Sequence, residues 1–403
     1  MMIRTTQAAS VLACCAFFCL ASPCLAATTP QGFGAGTTGG AGGEVVRVTT
    51  RTQLEQALCR SHSPGGACND NAPRIVELAT TIDYTNTEGR SSGVGCYPYK
   101  ACAAPYKPES LVLLNERDTH CAGKPLTQIA YDSAGKHPLD VGSNKTLIGI
   151  GAGGTLKGKG LRLHGAKNVI IRNLTLSDIN EGIVFAGDAI SLDDADHVWI
   201  DHNRFQRIGR QMIVDGFGPA TNVTISWNDF DGNSAYSSGC NGKHYWNVLL
   251  DAAQQTVTVS NNWFHAFAGR APRIVGDAAF LHLVNNLFQD GSWHALDADQ
   301  PANVLMEGNV FENVDTPITR TTTAHVFGAL DNPDASAQAQ CQASLGRDCV
   351  GNLAGPVPAF NGFRQDSAVL QALRAIAPAR IVTPDPADKV AAAVKANAGP
   401  GHL

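Results

Sequence analysis

The sequence predicts an all-β protein built as a parallel β-helix, a solenoid in which each coil stacks a strand on the one before. Three observations predict it. Five segments repeat one pattern: VWIDHN (198–203), VTISWN (223–228), VTVSNN (257–262), LHLVNN (281–286) and VLMEGN (304–309). Each has apolar residues at alternate positions, as a strand with one buried face does, and each ends in Asn. The Asn recurs at 173, 203, 228, 262, 286 and 309, at intervals of 23 to 34 residues that suit one solenoid turn. Aligned, those amides would form a hydrogen-bonded ladder inside the turn. Finally, helical crossovers of a dozen residues do not fit between the runs, which argues against a doubly wound sheet. A β-sandwich would want hairpin turns, and no two-residue Asn-Gly link joins the runs.

Taken in order, the chain opens with Arg4, an apolar run from Ala8 to Leu20, and small residues to Ala26. That is the pattern of a secretory signal peptide over residues 1–26, cut after Ala26. The run is too short to span a bilayer. Residues 27–403 are then expected to form a single domain. The net charge of −5 gives no case for nucleic acid or an anionic membrane as partner. Of twelve Cys, four go with the signal and eight remain, an even count that reads as disulfides in an exported chain. A zinc site is the rival, but no close Cys pair has a matching second pair.

Residues 31–43 (QGFGAGTTGGAGG) have the composition of a flexible linker. Thr50 to Gln53 is a capping box ahead of Leu54, Ala57 and Leu58, so a short helix is expected there, then a strand at 75–79. Residues 84–140 are loop-rich and carry three Cys with Tyr97, Tyr99 and Tyr106. After Gly362, Val369, Leu370, Leu373 and Ile376 recur at helical spacing. Residues 363–403 are expected to cover the solenoid's side or end, as terminal coils require.

The chemistry concentrates in residues 187–275, where Asp188, Arg210, Arg270 and Arg273 lie between strand-like runs, with His244, Tyr245 and Trp246 among them. Taken singly, each has an ordinary structural explanation. Asp188 would cap a turn, Arg270 would be a surface ion-pair partner beside Pro272, and His244 would be a satisfied core histidine. Trp246 divides evenly between core and cleft.

Together, GTTGG (36–40), GKGLR (158–162), GDAI (187–190), WIDH (199–202), RIGRQ (207–211), CNGKHYW (240–246), GRAP (269–272) and VNNLF (284–288) resemble the pectin lyases of polysaccharide lyase family 1. WIDH is shared with the calcium-dependent pectate lyases, whereas RIGRQ and the CNGKHYW type belong to the pectin lyase branch. The resemblance spans nearly all of the chain after the signal. It implies a right-handed parallel β-helix with long loops on one side, and β-elimination within α-1,4-galacturonan. Such a reaction needs positive charge against the developing enolate and a base within reach of the C5 proton.

By this resemblance Arg270 matches the family's catalytic Arg, with Arg273 and Arg210 as cations disfavouring its charged form. Asp188 matches a calcium-binding Asp of pectate lyases, but Arg210 and Val214 stand where further carboxylates would be. Neither can coordinate a hard cation, so the resemblance implies no metal and no cofactor, with Arg210 pairing Asp188. Asp215, one residue from the third ligand position, would face the other side of its strand. Val275 stands where pectate lyases carry a second Arg. Trp246 and Tyr245 match the aromatic position of the cleft, with His244 and Arg273 beside the substrate. The family pairing implies disulfides Cys96–Cys121, Cys102–Cys240 and Cys341–Cys349, which leaves Cys59–Cys68. The expected protein is a secreted, monomeric pectin lyase whose partner is methylated pectin. A calcium-dependent pectate lyase and a non-catalytic polysaccharide-binding solenoid are the alternatives.

Overall fold

A computed structural model describes residues 29–112, 119–216, 218–356, 358–376 and 378–403; the expected signal peptide lies outside the described residues. Three parallel sheets run the length of the molecule, which makes it a parallel β-helix. The long sheet has ten strands, from Glu44–Val48 to His325–Phe327. A second sheet of seven short strands, from Leu139–Asp140 to Asp297–Ala298, carries the candidate site and is called the site sheet below. The third has nine strands, from Thr81–Asp83 to Leu353–Gly355. Each central coil visits the site sheet, the long sheet and the third sheet in turn, as in 190–193, 195–201 and 204–208.

The alternation seen in the sequence has a direct cause. Val169, Val198, Val223, Val257, Leu281 and Val304 stand in register on neighbouring strands, and all are buried. Ile171, Ile200, Ile225, Val259, Leu283 and Met306 form a second inward column two residues on. Burying each such side chain contributes about 1.5–3 kcal/mol, and a one-residue slip would turn both columns out to water.

The ladder forms, one coil displaced at its start. Each Nδ2 donates to the next Oδ1: Asn203 to Asn228 at 3.0 Å, Asn228 to Asn262 at 2.9 Å, Asn262 to Asn286 at 3.0 Å, and Asn286 to Asn309 at 3.0 Å. Asn352 extends it, accepting from Asn309 at 2.8 Å. Asn173 is not a member. The register pairs Arg172 with Asp201, so Leu174 rather than Asn173 stands opposite Asn203. Asn173 sits in the left-handed turn that precedes the ladder, in the column of His202, Trp227, Asn261 and Asn285. Asn tolerates that backbone, which is why the pattern includes it for a different reason. Two residues after each ladder Asn from Asn203 to Asn309 stands a Phe. Phe205, Phe230, Phe264, Phe288 and Phe311 stack inside the coil with centroids 4.3 to 5.1 Å apart.

The glycine-rich stretch at 31–43 is not a linker. Phe33 is 1% exposed, and the segment crosses the outer face of the long sheet. Phe33, Gly34 and Gly40 donate backbone N–H groups to the hydroxyls of Thr258, Thr224 and Thr146. A Cβ at Gly40 would lie 1.9 Å from the Arg74 carbonyl oxygen, so the glycine is there for close approach. The helix Arg51–Leu58 forms with its capping box, and the strand that follows is Arg74–Leu78. At the other end, helix Ser367–Ile376 lays Val369, Leu370 and Leu373 against Phe33, Phe280, Leu305 and Phe327. Ile376 falls outside that contact at 41% exposed. Helix Ala387–Asn397 packs Val390 and Val394 on Leu287 and Val310. All four disulfides are present: Cys59–Cys68, Cys96–Cys121, Cys102–Cys240 and Cys341–Cys349.

Candidate active site

Asp188, Arg210, Trp246 and Arg270 each precede a strand of the site sheet by two or three residues, and those four strands are consecutive neighbours. Coil stacking therefore brings together residues that are 22 to 36 positions apart in the chain. Loops close over them on one side. The strands Arg90–Cys96, Ser110–Val112 and Thr127–Asp132 form a small sheet against Ile183–Val184, and Cys102–Cys240 ties the loop after the first of these to the segment before His244.

Asp188 is bound on both oxygens. Oδ2 accepts from Arg210 Nη1 at 3.1 Å, and Oδ1 accepts from the backbone N–H of Gln211 at 2.8 Å. Burial raises its pKa, while Arg210 and that N–H pull the other way. Arg210 lies over the Phe185 ring, Cζ at 5.0 Å from its centroid, and its Nε has no partner among the described residues. The donor set does not fit a hard cation. Arg210 fills the neighbouring position, Val214 is 2% exposed, and Asp215 points inward. Asp215 Oδ1 caps the backbone N–H groups of Asp251 (2.5 Å) and Ala252 (2.8 Å), and burial pushes its pKa up to about 7.

Arg270 takes a left-handed backbone, φ 46°, which is costly for a long side chain and is kept only where surroundings enforce it. Its guanidinium lies 4.6 Å from the centroid of Trp246 and 5.6 Å from that of Tyr245. Among the described residues no carboxylate pairs with it, and its Nε is buried without a partner. Burial lowers its pKa most; Tyr245 opposes this, and Arg273 and Arg210 reinforce it. The neighbouring cations are thus secondary to burial. Arg273 is itself held by Asp297 at 2.5 Å and Asp299 at 2.6 Å, and those carboxylates outweigh burial and raise its pKa. Arg273 is therefore a neutralised cation beside Arg270.

Trp246 does not offer an open face. It is 3% exposed, packed with Cys96, Leu111, Cys121 and Val184, and its Nε1 donates to Glu109 Oε1 at 3.1 Å. It is the floor on which Arg270 rests. His244 is also buried, donating from Nε2 to the carbonyls of Arg210 and Trp246 at 2.9 and 3.0 Å. Burial lowers its pKa to about 4, so it is a neutral brace between two coils. Tyr97, noted in the sequence, is exposed at 51%, and an exposed aromatic that sequence reading missed lies edge-on to Tyr245 at 5.6 Å: Trp293, 47% exposed. Tyr99, His120, Ser238, Tyr245, Trp246, Arg270 and Trp293 line a cavity of about 200 Å³. Glu109 and His294 were also missed, because nothing in their local sequence marks them; only the fold brings them beside Trp246 and Tyr245.

A family model described as Pectate lyase matches residues 109–351. The chain is 40% identical over 384 residues to "Probable pectin lyase E" of Aspergillus fumigatus, covering 93% of this chain and 95% of that one. It is 39% identical over 372 residues to "Probable pectin lyase B" of Aspergillus niger, covering 92% and 93%. Among solved structures, a Bacillus pectate lyase in complex with trigalacturonate superposes with a TM-score of 0.55 at 24% identity, covering 93% of this chain and 99% of that one. A pectate lyase from Acidovorax avenae gives 0.54 at 18%, covering 96% and 98%. These structures share the parallel β-helix, and the sequence matches go further: the chain belongs to the pectate lyase family, in the company of the fungal pectin lyases.

Proposed function

We propose that the chain is a secreted pectin lyase that cleaves methyl-esterified α-1,4-galacturonan by β-elimination, with Arg270 as the proton-abstracting base. The carrying observation is the state of Arg270: half-buried with its Nε enclosed, without a carboxylate partner among the described residues, and with its pKa lowered mainly by desolvation. Guanidinium ordinarily stays protonated, so a base of this kind needs a site that penalises its charge. Neutral Arg270 takes the C5 proton; the electron pair forms the C4–C5 double bond; the C4–oxygen bond breaks, and the leaving oxygen takes a proton from water. Arg210, fixed by Asp188, supplies positive charge against the carbonyl where the enolate develops. A methyl ester is neutral, and the exposed Trp293 with Tyr245 suits its apolar surface. Four disulfides fit an oxidising compartment and therefore export.

The test follows absorbance of the unsaturated product on methylated pectin and on polygalacturonate, each with and without a strong chelator. Activity on methylated pectin that survives the chelator is expected. Activity lost with chelator and restored by calcium, or confined to polygalacturonate, would show a calcium-dependent pectate lyase instead.

A further inference from the structure

The cleft described above leaves one buried titratable group unexplained. Glu109 stands at the start of the strand Ser110–Val112 and is 3% exposed. One oxygen accepts from Trp246 Nε1; the other is buried with no partner among the described residues. On its far side the same indole carries the Arg270 guanidinium against its face. Glu109, Trp246 and Arg270 thus form a row, with the carboxyl at the edge of the ring and the cation over its face.

We propose that Glu109 is a positioning residue for Arg270, acting through Trp246, and that its carboxyl works in the neutral form. This rests on Arg270 being the base. The neutral form follows from the surroundings. Packed around Trp246 are Cys96, Leu111, Cys121 and Val184, with Tyr99, Phe185 and Tyr245 at the margin, an apolar shell that penalises a carboxylate with an unpaired oxygen. Among the described residues, the charged and titratable groups facing the shell are Arg270 and Tyr245 over and beside the indole, Tyr99 and His120 along the cavity, His294 against Tyr245, Arg210 over Phe185 with Asp188 behind it, and the neutral His244 beneath. Burial dominates and pushes the Glu109 carboxyl up to about 7, against the opposing bond from Trp246.

The two forms act differently on Arg270. Neutral Glu109 fixes the indole by one hydrogen bond and adds no charge, so the guanidinium keeps the lowered pKa that burial gives it. Ionised Glu109 would place a negative charge across the ring, draw Arg270 onto the indole and strengthen its hold on its proton. Each unit by which the pKa of Arg270 rises cuts its neutral fraction tenfold.

Glu109→Gln keeps the acceptor and cannot ionise; Glu109→Ala removes the acceptor. Both are compared with the wild type from pH 5 to 9, with near-ultraviolet circular dichroism as the folding control. The wild type is expected to lose kcat on methylated pectin, relative to Glu109→Gln, as pH rises through about 7, with KM unchanged. Glu109→Ala is expected to have lower kcat at every pH. A second readout does not depend on the substrate: the rate at which phenylglyoxal modifies Arg270, followed by mass spectrometry. Above pH 7 it should be several-fold faster in Glu109→Gln than in the wild type. Superimposable rates of modification in well-folded proteins overturn the role of Glu109. A wild type inactive on methylated pectin with the expected difference in modification instead overturns the functional reading and leaves the row intact.

Discussion

The ladder inside the coils and the row of side chains at the start of the site-sheet strands come from the same coils, yet they treat polar groups in opposite ways. In the ladder, Asn228 Nδ2 donates twice, to Ile200 O and Asn262 Oδ1, and its Oδ1 accepts twice, from the backbone and side chain of Asn203. In and beside the row, the Nε atoms of Arg210 and Arg270, both amide atoms of Gln211 and one oxygen of Glu109 are buried without partners among the described residues. A residue that repeats in every coil can satisfy copies of itself. A residue that occurs once must find a partner in a loop, or wait for a substrate to provide one. Unsatisfied atoms at about 1–3 kcal/mol each are tolerated in the row because the repeating core supplies the stability.

Four perturbations break or sharpen this contrast. The largest expected effect is on rate: Arg270→Ala should lower turnover on methylated pectin about a hundredfold to ten-thousandfold with the melting temperature nearly unchanged. Arg270→Lys should retain some activity with a shifted pH optimum, since an ammonium titrates more readily when buried. Substantial turnover in the Ala variant would remove Arg270 as the base. Next, Phe264→Ala should cost about 3–5 kcal/mol in denaturant unfolding while leaving the kinetics of the folded enzyme alone, because Phe264 stacks between Phe230 and Phe288 far from any reacting atom. If its KM moved as much as its stability, core and cleft would be coupled after all. Third, Trp293→Ala should raise KM more than it lowers kcat, since stacking holds ground and transition states alike; unchanged kinetics would leave Trp293 a mere surface residue.

The smallest effect concerns Asp215. Its pKa in the folded protein is raised to about 7 from 3.8, so the folded state holds the proton more tightly than the unfolded one. That contribution to stability is complete below pH 3.8, declines as pH rises, and is gone above about pH 7. Asp215→Asn should therefore have a melting temperature that falls less than the wild type's between pH 4 and 8. Parallel curves would mean the carboxyl stays ionised.

What could be read from the sequence divides along the same line. Strand alternation and the Asn period were legible because repetition makes a weak signal strong. Asn173 was miscounted because the turn and the ladder both favour Asn, and only register separates them. The Asn-x-Phe spacing behind the Phe stack stands in NRF, NDF, NWF, NLF and NVF, but it bridges the turn between two strands, so the alternation within a strand does not show it. Residues 31–43 were misjudged because glycine serves close packing as well as freedom, and composition does not distinguish them. In the site, the Asp188–Arg210 pair was legible through the family motif. The burial of Trp246 and the exposure of Trp293 were not, since which aromatic faces solvent depends on loops from distant parts of the chain.

The ladder also has a direction. Every amide from Asn203 to Asn309 gives one N–H to the Asn on its C-terminal side, turns the other back to a carbonyl of the preceding coil, and accepts on its oxygen from the N-terminal side, and Asn352 receives the last Asn-to-Asn donation. Each coil thus offers its neighbours the same socket and the same plug. Nothing in the ladder counts coils, so a gene encoding such a chain can gain or lose one whole unit by duplication or excision and still close every bond. The row Asp188, Arg210, Trp246 and Arg270 sets one limit on that freedom, since an exchange within it would move one reacting group a full rung from its partner; the covering helices set another, since an exchange beyond Asp299 would shift Leu305, Val310 and Phe327 beneath them.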